Sequence, residues 1–273
     1  MQAQLASLPG FCDSFLGHRL REQPNYGFLP HYAFFLENCH RWKKWTDIQK
    51  RIVAPVSNDP IIAWKEWRQF RSAQAEISAA YLIENNLSGR INDLEVARPG
   101  CKKSCDILAT FKCQSSLYLE VKAQSGQQHG SQHPLSKSNS FTPQGEEDLS
   151  SWLFEPRVSQ STGNAMVPYC IQASRKEADV LIAMTDIMQW NTEGLVQLGK
   201  FLVPDALAES HQSLLAPNNG NAGLAVTSFD AGASTKERMG NLQEVWLFNE
   251  SASNGLLVIR THGIRPILER IAA

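Results

Sequence analysis

Asp106 is followed fourteen residues later by Glu120-Val121-Lys122, and Glu76 precedes them all. Paired carboxylates beside a lysine suit the hydrolysis of a phosphodiester. That reaction needs a hydroxide nucleophile and relief of charge on the phosphoryl oxygens. Hard oxygen ligands hold Mg²⁺, which keeps several waters and takes a substrate phosphate as a further ligand. Such a metal acidifies and orients water and stabilises the leaving oxygen. A lysine beside it polarises the attacking water or the scissile phosphate. The carbonyl of Val121 offers one more oxygen ligand.

The elements that must position these groups are legible in the pattern. Residues 116–124 alternate cleanly, with Leu117, Leu119, Val121 and Ala123 on one face and Tyr118, Glu120, Lys122 and Gln124 on the other. Glu120 and Lys122 therefore share a side. Residues 105–111 and 91–97 read as the two preceding strands, separated by the turn signal Arg98-Pro99-Gly100. If strands 105–111 and 116–124 pair as a hairpin, Asp106 approaches Glu120. Upstream, Asp59 is an N-cap and Pro60 a first helical residue. The helix they open runs to Asn85 or Asn86 and carries Glu76, with Trp64, Trp67, Gln74, Ile77 and Tyr81 on one broad face expected to be buried. Residues 179–185 are a near-continuous apolar run, the pattern of a buried strand. A helix is expected from near Asp148, strands over 244–248 and 256–260, and a short helix over 266–271. The polar stretch 125–148 reads as a loop or insertion.

Helix with Glu76, strand, strand with Asp106, strand with Glu120-Val121-Lys122, helix, strand: this order resembles the PD-(D/E)XK nuclease superfamily, the restriction-endonuclease-like fold. The resemblance covers roughly residues 59–190. It implies an α/β core with a mixed central sheet flanked by helices. Outside that span, residues 1–58 read from their own pattern as an aromatic-rich extension of short helices and loops packed on the core, and 191–273 as a C-terminal extension of the same domain. The resemblance implies that Asp106 and Glu120 are the metal-binding acids, Lys122 the catalytic lysine, Glu76 the accessory helix acid and Gln124 an extra polar site residue. Cys105 stands before Asp106 where many members have proline. The activity implied is Mg²⁺-dependent cleavage of DNA, with Mn²⁺ able to substitute, in restriction, phage defence or a mobile element. The alternatives are a nuclease specific for junctions, flaps or RNA, or a nuclease-like fold kept for binding alone.

The charge distribution reads either as a polyanion-facing half or as two ordinary solvated faces. Between Arg41 and Arg71 eight basic residues face three acids, whereas between Glu177 and Leu256 ten acids face three bases. Lys43, Lys44, Arg68 and Arg71, with Lys102 and Lys103, are the candidate phosphate contacts. The net charge of −1 argues against a protein that coats nucleic acid non-specifically. The chain has no zinc-finger or basic-region reading motif and no Walker A sequence, so a homodimer or a partner protein is expected.

The remaining features exclude other classes. With 273 residues and 42% apolar composition, the chain has material for a sizeable core. No run approaches the roughly 18 apolar residues of a membrane span. The N-terminal residues show no basic region before an apolar run, so no secretory leader is expected. Six scattered cysteines fit reduced thiols and a cytoplasmic setting. Cys101, Cys105 and Cys113 lack the paired spacing of a zinc site. His129 and His133 lie in the polar loop, where solvation is the ordinary state. Ser136, Ser138 and Ser140 lack a nucleophile signature. Set against the site reading, Glu120 and Lys122 can also be an exposed surface ion pair of little energetic consequence.

Overall fold

The computed structural model describes residues 2–24, 26–42, 45–86, 91–96, 105–113, 115–123, 133–135, 169, 172–185, 207–208, 224–226, 229–230, 242–249 and 256–260. The architecture is mixed α/β. Five helices come first: α1 (Gln2–Ala6), α2 (Phe15–Glu22), α3 (Leu29–Asn38), α4 (Trp45–Ile52) and α5 (Pro60–Asn86). Among the described residues nine strands follow: β1 (Ile91–Val96), β2 (Ile107–Phe111), β3 (Ser116–Ala123), β4 (Val180–Thr185), β5 (Leu207–Ala208), β6 (Leu224–Val226), β7 (Phe229–Asp230), β8 (Glu244–Asn249) and β9 (Leu256–Arg260).

Helix α5 begins where the sequence says it should. The Asp59 carboxylate accepts the N–H groups of Ile61 and Ile62 at 2.8 and 3.3 Å, satisfying two of the donors that a helix start leaves open. Over residues 70–83 both faces of α5 are buried. One packs against β1, β3 and β4. The other receives the N-terminal helices through an aromatic cluster in which Phe15 meets Trp67 at 5.1 Å and Phe70 at 5.8 Å, and His31 stacks on Tyr81 at 4.2 Å. A helix clad on both sides is apolar around most of its circumference, and its small buried residues (Ala73, Ala75, Ala79, Ala80) leave room for close approach on both sides. One continuous core runs from Leu5 through α5 to Trp246 on β8, so residues 1–58 share the core of the sheet.

The main sheet has seven strands in the order β1-β2-β3-β4-β8-β9-β6, and β5 pairs with β7 separately. β1, β2 and β3 form an antiparallel meander. β4 then joins β3 in parallel, and β8 joins β4 in parallel. The parallel strand β4 is buried along Val180–Met184, which explains its unbroken apolar sequence. Among the described residues no helix is long and apolar enough to cross a membrane.

Six of the strands match the sequence reading in place and order, while β5, β6 and β7 have no counterpart in it; among the six, one difference is informative. The strand expected over 105–111 starts only at Ile107. Continuing the Ile107↔Leu119 register would pair Cys105 with Val121. Instead the Val121 N–H donates to Asp106 Oδ2 at 2.9 Å. The side chain of Asp106 thus takes a donor that the ladder would otherwise use, and the strand ends there. The helix expected from Asp148, the tail helix over 266–271 and most of the 125–148 loop lie outside the described residues.

Candidate active site

The site is assembled where the sheet changes from antiparallel to parallel. Asp106 stands at the threshold of β2, and the β2–β3 register extended by one residue sets it beside Glu120. Glu120 and Lys122 lie two apart on β3, and their side chains meet. Lys122 Nζ lies 2.6 Å from Glu120 Oε1. The polar face of β3 is not an exposed face at this point. Tyr118 is 41% exposed, but Glu120 is 0% exposed.

What covers Glu120 is a feature the sequence reading missed. Lys176, in the turn just before β4, also donates to Glu120 Oε1 at 2.6 Å. Two ammonium groups therefore share one carboxylate oxygen. The second oxygen, Oε2, is buried and has no hydrogen-bond partner among the described residues. Burial pushes the Glu120 carboxyl above its usual range, and the charge of Asp106 adds to that rise, while the two lysines oppose it. Burial alone would lower the Lys176 ammonium. Its bond to Glu120 and the charge of Asp106 outweigh this and hold it above its ordinary value.

The turn that presents Lys176 is firmly built. A helical turn over 172–175 ends with the Ala178 N–H on the Ala173 carbonyl at 3.0 Å and the Glu177 N–H on the Ser174 carbonyl at 3.0 Å. This is the bond pattern of a Schellman cap, with Lys176 as the last half-helical residue. Glu177 takes the left-handed conformation (φ 58°) that such a cap requires and that glycine usually supplies. Asp179 then ties the turn to both neighbouring strands. Its Oδ2 accepts the Tyr118 N–H at 2.9 Å, and its Oδ1 accepts from Gln243 Nε2 at 3.2 Å. The buried thiol of Cys105 lies 3.6 Å from the Lys176 carbonyl. Burial, aided by the charge of Glu120, pushes that thiol up to about 11, so it is inert as a nucleophile near neutrality.

Glu76 faces the same region from α5 and feels the charge of Asp106. Its carboxylate is gripped by Arg51 of α4 in a two-pronged bond, at 2.8 Å to Oε1 and 3.1 Å to Oε2, with Ser72 Oγ at 3.4 Å. Asp47 steadies Arg51 from the other side at 3.1 Å. Burial raises the Glu76 carboxyl, and Arg51 pulls against that rise. Among the described residues no three His, Cys, Asp or Glu side chains stand ready to hold a metal by themselves. Of the three acids expected to converge, Asp106 and Glu120 are adjacent in register, while Glu76 is engaged by Arg51.

The other expected site residues divide into three groups. Val121 is buried and contributes its N–H to Asp106. Gln124, Lys43, Lys44, Lys102 and Lys103 lie outside the described residues. Arg68 is exposed on α5, as a phosphate contact must be. Arg71 is not: it is 1% exposed, with its guanidinium 5.6 Å from the Trp67 ring centre. This corrects its expected role, because one face of α5 that reads as basic is covered by the N-terminal aromatic cluster. His133, read as a loop histidine, lies with Nε2 2.8 Å from the Ser57 carbonyl and accepts the Leu135 N–H on Nδ1 at 3.2 Å.

Compared with known proteins, the chain matches no family model, no curated protein and no solved structure. Its function is therefore argued from the site itself. The sequence held no signal for Lys176, since only the crossover to β4 brings it to Glu120.

Proposed function

We propose that this chain is a metal-dependent nuclease of the PD-(D/E)XK type, hydrolysing phosphodiester bonds in DNA. One observation carries the reading: a buried glutamate beside Asp106 and Lys122, with one carboxylate oxygen unpartnered among the described residues. A buried polar atom without a partner costs on the order of 1–3 kcal/mol, a cost that a bound cation at Oε2 would relieve. The order of α5, the β1–β2–β3 meander and parallel β4 supports a restriction-endonuclease-like core.

The residues present fit a hard divalent cation such as Mg²⁺ or Mn²⁺. Asp106 and the free Oε2 of Glu120 would hold it, the Val121 carbonyl is a further candidate, and water and substrate phosphate would complete the shell. When bound, the ion would supply an acidified water and charge relief at the phosphoryl group. Lys122, beside Glu120, would orient the attacking water or the scissile phosphate. Arg51 would keep Glu76 extended toward Asp106, and Glu76 would act through this pair. Arg68, Lys43 and Lys44, with Lys102 and Lys103, would carry the backbone contacts that give affinity without sequence. Cutting both strands of a duplex calls for a second such site, supplied by another copy of the chain or by a partner. A cytoplasmic role in restriction, phage defence or a mobile element is the setting that suits this activity.

The deciding experiment is to incubate the purified protein with plasmid, linear duplex, single-stranded DNA and RNA, with Mg²⁺ or with EDTA. Cleavage of DNA that needs Mg²⁺ and disappears in both Asp106→Asn and Glu120→Gln is expected. Cleavage of RNA alone would move the substrate class. Cleavage unaffected by EDTA, or by both substitutions, would overturn the reading.

A further inference from the structure

We infer that Lys176 is an internal counter-cation for the site, occupying the charge of Glu120 in the metal-free protein and yielding it when a divalent ion binds. The inference rests on the metal-dependent reading above and adds a residue which that reading does not contain. Its basis is a mismatch of partners. Glu120 Oε1 carries two ammonium groups at 2.6 Å each, while Oε2, on the same carboxylate, has none. One lysine would satisfy a structural ion pair. A second on the same oxygen adds a positive charge, which the neighbouring Asp106 helps to balance.

Charge counting then favours exchange. Asp106, Glu120, Lys122 and Lys176 sum to zero as they stand. Entry of a doubly charged cation would leave an excess of two, in a site where Glu120 is wholly buried. Releasing one ammonium to water lowers that excess, and phosphate of the substrate removes more of it.

Lys176 is built to be the one released. Its backbone is fixed by the Schellman cap and by Asp179, but its side chain is 30% exposed, against 20% for Lys122 and 0% for Glu120. Nζ can therefore swing into solvent without moving the turn. Lys122, on the interior strand β3, has less freedom. The left-handed Glu177 that closes the cap is an uncommon conformation for a residue with a side chain. It is tolerated at the point that sets where Lys176 sits, which suits a position kept for a purpose.

Two measurements on the full chain test this. The first is calorimetric titration of Mn²⁺ and Ca²⁺ into wild type, Lys176→Met, Lys122→Met and Glu120→Gln, with thermal melts to establish that each variant is folded. Removing the competing ammonium should tighten metal binding by about three- to tenfold in Lys176→Met, the factor expected when an ion pair of modest strength no longer has to be broken. The second is reductive methylation of wild-type lysines followed by mass spectrometry. Adding Ca²⁺ should raise labelling of Lys176, while exposed Lys50 and Lys65 stay constant as references. If metal binds to wild type and is lost in Glu120→Gln, but Lys176→Met binds no more tightly and Lys176 labelling does not rise, the inference is wrong and the metal site stands. If wild type binds no metal, or Glu120→Gln binds as well as wild type, both fall together. A Lys176→Met chain that fails to fold leaves the labelling experiment on wild type to decide.

Discussion

Asp106 Oδ2 accepts the Val121 N–H at 2.9 Å, so the first acid of the pair is anchored to the backbone of the strand that carries the second. This bond separates two consequences of changing Asp106. Asparagine keeps an oxygen that can accept the same N–H but gives up the charge that a metal needs. Alanine gives up both and leaves a part-buried donor without a partner. Asp106→Asn should therefore lie within about 1 kcal/mol of wild type in stability, and Asp106→Ala should lose about 1–2 kcal/mol. Both should lose Mg²⁺-dependent cleavage. Urea denaturation alongside a plasmid assay checks the pair. An Asp106→Asn protein that cut at the wild-type rate would contradict the assignment.

Glu120 carries a pH signature that follows from its burial. Its carboxyl is raised in the folded protein, mainly by burial and then by Asp106. From the ordinary carboxylate range up through that raised value, the native chain binds more protons at this group than the unfolded chain does. Stability contributed by the group therefore falls as pH rises across that window, and levels off above it. Glu120→Gln removes this term. The lysines it leaves behind, 20% and 30% exposed, can turn to water. Metal-free Glu120→Gln should match or exceed wild-type stability near neutrality, by up to about 1 kcal/mol, and lose that advantage as pH drops below the window. The difference between the two denaturation profiles isolates Glu120 from Glu76, which is raised in both proteins. A difference that grew toward acid pH would refute the account.

The elements around the site were readable because their signals are local, and the site only partly because some of its partners are not. The Asp59-Pro60 start, the alternation of β3 and the apolar run of β4 each depend on residues within a few positions of one another. The closeness of Asp106 and Glu120 needed only a hairpin. Lys176 reaches Glu120 from 56 positions away, and Arg51 reaches Glu76 from 25. No spacing rule announces either contact. Arg71 fails for the opposite reason. Charge counted along the chain cannot tell which face of α5 the N-terminal helices will cover. Glu120 shows the same limit, since the polar face of an alternating strand is expected to meet water and here is sealed by a turn from the next crossover.

Arg51 and Glu76 form a test of that long-range pairing. Both side chains are largely buried, at 20% and 12% exposed. Removing one partner strands the other charge, which for a fully buried pair costs about 3–5 kcal/mol. Arg51→Met should thus destabilise by somewhat less, about 2–4 kcal/mol. The double variant Arg51→Met/Glu76→Gln should recover much of that loss. A double-mutant cycle measures the coupling. A result additive to within about 0.3–0.5 kcal/mol would mean that the two-pronged bond contributes nothing beyond its separate residues.

The basic stretch must be tested without Arg71, which is buried under Trp67 and would report on folding. Arg68 is exposed on the same helix, and Lys43 and Lys44 precede α4. If these residues lie along bound DNA, each phosphate they neutralise releases condensed counterions. Log affinity then falls with log salt by about 0.9 per contact on duplex DNA. The slope, unlike a single affinity, counts contacts. Lys43→Glu/Lys44→Glu and Arg68→Glu should each weaken binding to unrelated duplexes by similar factors, and flatten the slope by about 1 for every contact removed. Titrations in Ca²⁺ in place of Mg²⁺, from low to moderate salt, give the slope under conditions intended to limit cutting. Arg71→Met belongs in the same series as a folding control, with an expected loss in the melt from a buried side chain removed. Slopes equal to wild type in both charge-reversed proteins would show that these cations touch no phosphate, and that the phosphate contacts lie elsewhere on the chain.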